Sequence, residues 1–227
     1  SIGWSAFEGC TALKSIDLPK NLTDIGNYAF SGCESLEEIV LPDSLEEICE
    51  GAFNGCTSLK TIDLPKNLKT IGKEAFANCA GLTSVTIPAS VKTVGQFAFK
   101  NCEKLKSADI KTPDIFNASI SVSDWSGLFA FCPNLEKVTY AADGNSNFKA
   151  TLFYTGKLSA DDYDADKYTY ESFYGMLIPK SLKTIEITEG TTIGEEEFKD
   201  IASLETIHLP KNLETIGEEA FSGCENI

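Results

Sequence analysis

The chain has 227 residues, 42% of them hydrophobic, and its 34 acidic side chains against 19 lysines leave a net charge of −15. It contains no arginine, so the basic face and guanidinium forks that hold a polyanion are missing; nucleic acid is excluded as a partner and an anionic membrane surface is disfavoured. No run of about 18 apolar residues offers a membrane span, and with no basic, apolar leader and a first residue inside a repeat, the chain reads as a mature or trimmed fragment of a longer protein.

One sentence recurs along the chain. "IGWSAFEGC" at Ile2–Cys10 returns as "IGNYAFSGC" at Ile25–Cys33 and as "IGKEAFANC" at Ile71–Cys79, and the cysteines at 10, 33, 56, 79 and 102 are each 23 residues apart. Such a unit cannot bury its own apolar face; stacking copies does, which predicts an α/β repeat solenoid with one continuous core. Taken in order, "SIDLP" alternates, with Ile16 and Leu18 inward and Ser15 and Asp17 outward, the period of a strand. Successive copies predict a parallel sheet, ended each time by proline. "NLTDI" turns Leu22 and Ile25 inward as a second short extended piece, and Gly26 permits a bend. "NYAFSGC" places Ala29, Phe30 and Cys33 inward in a span too short for a long helix, so one or two helical or 3-10 turns are expected.

The cysteines occupy an inward position where a thiol serves as a small hydrophobe. Ile201 stands at the equivalent site after Phe198, a swap that packing tolerates and a metal or disulfide does not. Stacked thiols in register also have parallel Cβ vectors, and zinc spacings are absent. No metal or other cofactor is expected.

Regular repeats run over 1–110. Over 111–181 they degenerate and carry insertions, "TPDIFNASISVSDWSG" and then 141–175, and over 182–227 they resume. The insertions are rich in aromatics, including Phe148, Phe153, Tyr154, Tyr168 and Tyr174, unlike a disordered linker. Degenerate coils or an inserted small unit would both account for them.

The pattern L-x-x-I-x-L-P-x-[NS]-L-x-x-I-G-x-x-A-F-x-x-C resembles the BspA-like leucine-rich repeats of bacterial surface proteins, cleanly over 1–110 and 182–227 and partly over 128–140. Asn21, Ser44, Asn67, Ser90 and Asn212 fall near the asparagine-ladder position of that superfamily. The resemblance implies a curved right-handed array with the strand sheet on its concave face and the helical or 3-10 turns on the convex side. It also implies an extracellular or cell-surface protein with an adhesin-like role.

The first candidate site is the outward strand row: Asp17, Glu38, Asp63, Thr86, Asp109, Thr139, Glu186 and His208. Extended, pre-formed repeat surfaces suit protein ligands, here a host matrix or cell-surface protein; a merely solvated sheet face is the alternative. The second is an aromatic surface from the insertions, Trp125, Tyr154, Tyr163, Tyr168 and Tyr170, suited to a protein or a glycan, unless these rings only cover the core where the repeat fails. "DADK" sets Asp162, Asp164 and Asp166 at the odd positions of a calcium loop, but Lys167 stands where the turn glycine belongs and Phe173 where the closing glutamate belongs. "DGNSN" (Asp143, Asn145, Asn147) lacks a closing acid as well. Asn21 and Asn117 head glycosylation sequons. With a single histidine, His208, and no nucleophile or phosphate-loop motif, no enzyme is expected. A structural spacer within a larger surface protein is the remaining reading.

Overall fold

The structure, a computed structural model, describes residues 1–112, 127–141, 148–155, 158, 163–171 and 175–227. Each coil carries two extended segments joined by tight turns, and the two segments build separate parallel ladders. The second segment, the "NLTDI" copy, forms β1 (Asp24–Ile25), β2 (Glu47–Ile48), β3 (Thr70–Ile71) and β5 (Thr93–Val94), a four-stranded sheet in the order β1-β2-β3-β5. Ile25, Ile48 and Ile71 are in register in this sheet and fully buried.

The first segment, the "SIDLP" copy, forms β4 (Ser84–Ile87), β6 (Ser107–Ile110), β7 (Lys137–Ala141), β10 (Thr184–Glu189) and β12 (Thr206–His208) in the order β12-β10-β7-β6-β4. The expected sheet is therefore present from Ser84 onward. In the three coils before it, Ser15–Leu18, Glu38–Leu41 and Thr61–Leu64 form no ladder. Those coils are held instead by the other sheet, and Ile16, Leu18 and Leu64 remain half-buried. β11 (Thr192–Ile193) and β13 (Thr215–Ile216) re-establish the second ladder at the far end.

The third side of each coil is not helical, which corrects the expectation of helical or 3-10 turns: among the described residues the only helix is α1 (Phe148–Phe153), inside an insertion. The reason lies in two left-handed residues per coil. One precedes the core alanine, as at Tyr28 (φ 56°) and Glu74 (φ 53°). The other lies two residues past the core phenylalanine, as at Gly32 (φ 70°), Gly55 (φ 75°), Asn78 (φ 59°) and Asn101 (φ 57°). A right-handed helix cannot run through either position, so the segment is a pair of turns. Their free donors bond across coils: Phe30 N–H to Ala52 O at 2.7 Å and Phe76 N–H to Ala98 O at 2.7 Å.

Inside, the phenylalanines form a column. Phe7, Phe30, Phe53, Phe76 and Phe99 stack face to face at 5.0–5.3 Å between centroids, and Phe129 follows at 5.6 Å. The thiols form a second column. Cys33, Cys56, Cys79, Cys102, Cys132 and Cys224 are buried, and every cysteine is free. Each buried thiol donates to the carbonyl of the phenylalanine one coil earlier, for example Cys56 Sγ to Phe30 O at 3.3 Å and Cys79 Sγ to Phe53 O at 3.2 Å. The thiol thus fills space and satisfies a buried carbonyl with a weak donor. Burial raises the thiol pKa of Cys33, Cys56, Cys79 and Cys224, for Cys79 up to about 12. Cys10, on the first coil, is exposed.

The glycine of "IG" has a different purpose from a bend. Gly26, Gly72 and Gly95 have ordinary φ, but a Cβ on Gly95 would lie 2.3 Å from Lys73 N, and one on Gly26 would lie 2.8 Å from Ile2 O. Neighbouring backbones approach too closely here for any side chain.

β7 and β10 pair directly, Val138 beside Ile185 and Thr139 beside Glu186, although 42 residues separate the two strands. The excursion between them contains α1 and an antiparallel hairpin of β8 (Tyr168–Glu171) and β9 (Met176–Pro179). The carbonyls of Thr151 and Leu152 in α1 accept from Leu128 and Phe129, so the helix occupies the place of the next coil's turn. Tyr140, fully buried, donates its hydroxyl to Glu197 at 2.6 Å, and Glu197 also accepts from Gly194 N–H.

Candidate functional site

The five-stranded sheet aligns its outward side chains into two straight rows. Thr86, Asp109, Thr139, Glu186 and His208 are mutual register partners across β4, β6, β7, β10 and β12. Beside them Ser84, Ser107, Lys137, Thr184 and Thr206 form the second row. Successive members of a row are about 4.8 Å apart, the parallel-strand spacing. The inward partners Val85, Ala108, Val138 and Ile185 are buried, so the alternation of each strand fixes which side chains face out.

The rows are cross-linked. Lys137 Nζ reaches diagonally to Glu186 at 2.6 Å and lowers the pKa of that carboxyl through the hydrogen bond. Asp109 pairs with Lys111 at 3.7 Å. The surface is therefore a lattice of acids, hydroxyls and one lysine, with His208 exposed at its edge.

The other three residues of the expected row lie apart from this lattice. Asp17, Glu38 and Asp63 are exposed, but on the segments that lack a ladder. Val40, the outward neighbour of Glu38, is 82% exposed. Between Thr61–Leu64 and β4 the missing ladder leaves a cleft of about 290 Å³ lined by Asp63 and Thr86, where the unladdered segment meets the sheet.

Of the aromatic candidates, Trp125 lies outside the described residues, as do Phe173, Tyr174 and the sequon at Asn117. Tyr163 and Tyr170 pack together at 5.2 Å, and the Tyr170 hydroxyl accepts from Leu158 N–H at 2.8 Å. Tyr168 is buried, its ring edge-on to Phe131 at 6.4 Å. Tyr154 is half-buried and bridges Met176 at the end of β9. Tyr163, Tyr168 and Tyr170 thus meet at the β8 side, while Tyr154 caps the hairpin.

In the calcium-like stretch, Asp164 pairs with Lys167 at 3.0 Å and accepts from Asp166 N–H at 3.0 Å. Asp162 and the "DGNSN" residues lie outside the described residues. No group of three or more metal-ligating side chains occurs among the described residues.

An asparagine ladder exists, but on other residues than the sequence suggests. Asn101 Nδ2 donates to Asn78 Oδ1 at 2.8 Å, and Asn78 Nδ2 donates to Asn54 Oδ1 at 2.9 Å. At the position read from the repeat, Ser44 Oγ bonds the Lys20 and Leu22 carbonyls and Asn67 Nδ2 bonds Asp43 O, each a link to the preceding coil and not a chain of amides. The residue that sequence reasoning passed over is Phe131, which takes a left-handed conformation (φ 58°) at a position otherwise held by glycine, asparagine or aspartate.

The BspA type leucine rich repeat region matches this chain in six copies, over residues 1–106, 32–159 and 169–227. Among curated proteins there is no match. Among solved structures, a leucine-rich repeat protein from Bacteroides ovatus is similar at 25% identity and a TM-score of 0.53, over 98% of this chain and 68% of that one. The leucine-rich repeat protein of T. pallidum is 35% identical with a TM-score of 0.52, over 66% of this chain and 69% of that one. The pneumococcal vaccine antigen PcpA shares the fold at 21% identity and a TM-score of 0.52, over 90% of this chain but only 41% of its own. The spacing that puts a phenylalanine and a thiol on every coil is the spacing of that repeat, and the chain belongs to the BspA-type leucine-rich repeat family.

Proposed function

We infer that this chain is a non-enzymatic binding module displayed at a bacterial cell surface, and that the five-stranded sheet docks a protein, in the manner of an adhesin. The observation that carries the reading is the register of Thr86, Asp109, Thr139, Glu186 and His208, an extended, pre-formed line of polar side chains on a rigid sheet. Pre-formation spares the ordering cost that a flexible surface pays on binding. The acids favour a basic partner face, and the chain's charge of −15 steers such a partner toward it. Asp17, Glu38 and Asp63 extend the same side of the coils toward the other end.

The test is a binding assay with the purified chain against immobilised matrix and cell-surface proteins, repeated with Asp109→Ala, Glu186→Ala and His208→Ala combined. A saturable ligand whose affinity falls at least tenfold in the triple variant, with an unchanged melting temperature, supports the docking face. A ligand bound equally by the triple variant moves the site elsewhere. The absence of any saturable ligand leaves a spacer, with the repeats setting reach.

A further inference from the structure

A groove of about 380 Å³ opens between the third side of the coils and the β8 hairpin, and no strand residue of the five-stranded sheet lines it. It is lined by Phe131, Tyr163, Asn101, Asn134 and Glu103, with the Asp164 and Lys167 pair beside them. Tyr168 closes the floor edge-on to Phe131. The volume falls at the low end of the range of small-ligand sites, about 300–1,000 Å³.

Phe131 is the residue that calls for an explanation. Two residues past the core phenylalanine, the coils carry Gly9, Gly32, Gly55, Asn78, Asn101, Asp200 and Gly223, all left-handed. These are the residue types that reach that conformation at little cost. Phe131 alone places a bulky ring there, at φ 58°. A side chain kept at a strained position, where the repeat supplies an unstrained alternative, points to a use for the ring. One use is visible: Lys100 Nζ sits 5.5 Å from the Phe131 centroid and 5.1 Å from that of Phe97, so the ring is braced by a cation shared with a second aromatic. Phe131 is also half-buried, leaving part of it to line the groove.

The polar groups are arranged to accept. Asn134 Nδ2 donates to Glu103 O at 2.7 Å and Asn101 Nδ2 to Asn78 Oδ1 at 2.8 Å, so each amide keeps its oxygen as an acceptor and one further N–H as a donor. Glu103 adds a carboxylate. The groove's ammonium, on Lys167, is taken up by Asp164 at 3.0 Å. Aromatic surface beside planar acceptors suits a ligand with an apolar C–H face and a ring of hydroxyl donors. The excess of carboxylate over free cation excludes an anionic one.

We propose that the groove formed by Phe131, Tyr163, Asn101, Asn134 and Glu103 binds a neutral pyranose sugar, its C–H face on the aromatic rings and its hydroxyls donating to the amides and the carboxylate. This site is independent of the protein-docking sheet. The test is saturation-transfer NMR and titration with the methyl pyranosides of glucose, galactose and N-acetylglucosamine, and with cellobiose and lactose. Saturable binding of at least one of the five is expected. Phe131→Gly should weaken it at least tenfold while leaving the melting temperature unchanged or higher, because glycine relieves the strained backbone. Tyr163→Ala should weaken binding in the same way, should Phe131→Gly prove unfolded. The combined Asp109, Glu186 and His208 variant should bind sugar normally. No saturable binding by any of the five, or full binding by folded Phe131→Gly or by Tyr163→Ala, overturns the proposal.

Discussion

Phe76→Ala would remove one ring from the middle of the phenylalanine column. Phe76 is fully buried and stacked on both sides, against Phe53 and against Phe99, each at 5.2 Å. Truncating a buried phenylalanine to alanine costs about 3–5 kcal/mol through lost transfer energy and the remaining cavity. Each stacked partner adds about 0.5–1.5 kcal/mol beyond area, which places this site in the upper half of that range, at about 4–5 kcal/mol. The neighbouring coils cannot collapse to fill the gap, because the Gly72 and Gly95 backbones already touch the coils before them. Phe7→Ala is the internal control: Phe7 is half-buried and stacks on one side only, against Phe30 at 5.0 Å, so about 1–2 kcal/mol is expected from its smaller buried area. Urea unfolding followed by circular dichroism reads both. With a slope of about 2 kcal/mol per molar, the midpoint should fall by about 2 M for Phe76→Ala and by less than about 1 M for Phe7→Ala. Equal shifts for the two variants, or a loss below about 1 kcal/mol for Phe76→Ala, would refute a column whose rings depend on neighbours above and below.

The thiol column predicts a loss of stability in alkali. The folded-state pKa of Cys33, Cys56, Cys79, Cys102 and Cys224 is raised above the ordinary thiol value, by burial at four of them and at Cys102 first by its hydrogen-bond interaction with Cys132 and then by burial. The unfolded chain therefore releases protons first, so stability is intact below pH about 8.5, falls as pH rises past it and is lost through the raised folded values; urea midpoints measured from pH 7 to pH 10.5 should decline, and a flat profile would contradict buried thiols. In the same native protein Cys10 should react quickly with a thiol reagent at pH 7, while Cys56 and Cys79 react only after unfolding. Gly95→Ala should cost at least about 1–3 kcal/mol, since the new methyl meets the Lys73 backbone at 2.3 Å. Gly3→Ala, with nothing within 4 Å of the added carbon, should stay within about 0.5 kcal/mol, and a comparable melting temperature for the two variants would remove the close-approach argument.

The 23-residue spacing was enough to place Phe30, Phe53, Phe76 and the thiols in a shared interior, because a repeated inward position has only one way to be buried when coils stack. It could not tell which extended segment would carry the ladder. Thr61–Leu64 and Ser84–Ile87 have the same inward-outward pattern, yet only the second pairs, and the choice is made by the neighbouring coils. The turns misled for a related reason: Ala29, Phe30 and Cys33 have helical spacing, while the left-handed residue that forbids the helix is Tyr28, which carries no glycine signature. Asn78 and Asn101 hid their amide ladder in positions where other coils use glycine. Phe131 was legible in principle, since "FAFCPN" puts a ring where aligned copies have Gly32, Gly55 or Asn78. The aromatic count of the insertions drew attention to Trp125, Tyr154, Tyr163, Tyr168 and Tyr170, of which Tyr163 and Tyr168 line the groove beside Phe131.

The ladders change sides around β4 and β5, and the last coils carry both again. Up to β5 the coils are tied along the second segment, and from β4 onward along the first, so among the described residues of the first five coils only the stretch Ser84–Val94 is tied along both. The first and the middle coils therefore carry their strand ladders on different flanks, while the turns of the third side bond coil to coil in both. A load along the array is thus shared by the second segment's ladder in the first coils, by the first segment's in the middle and by both in the last.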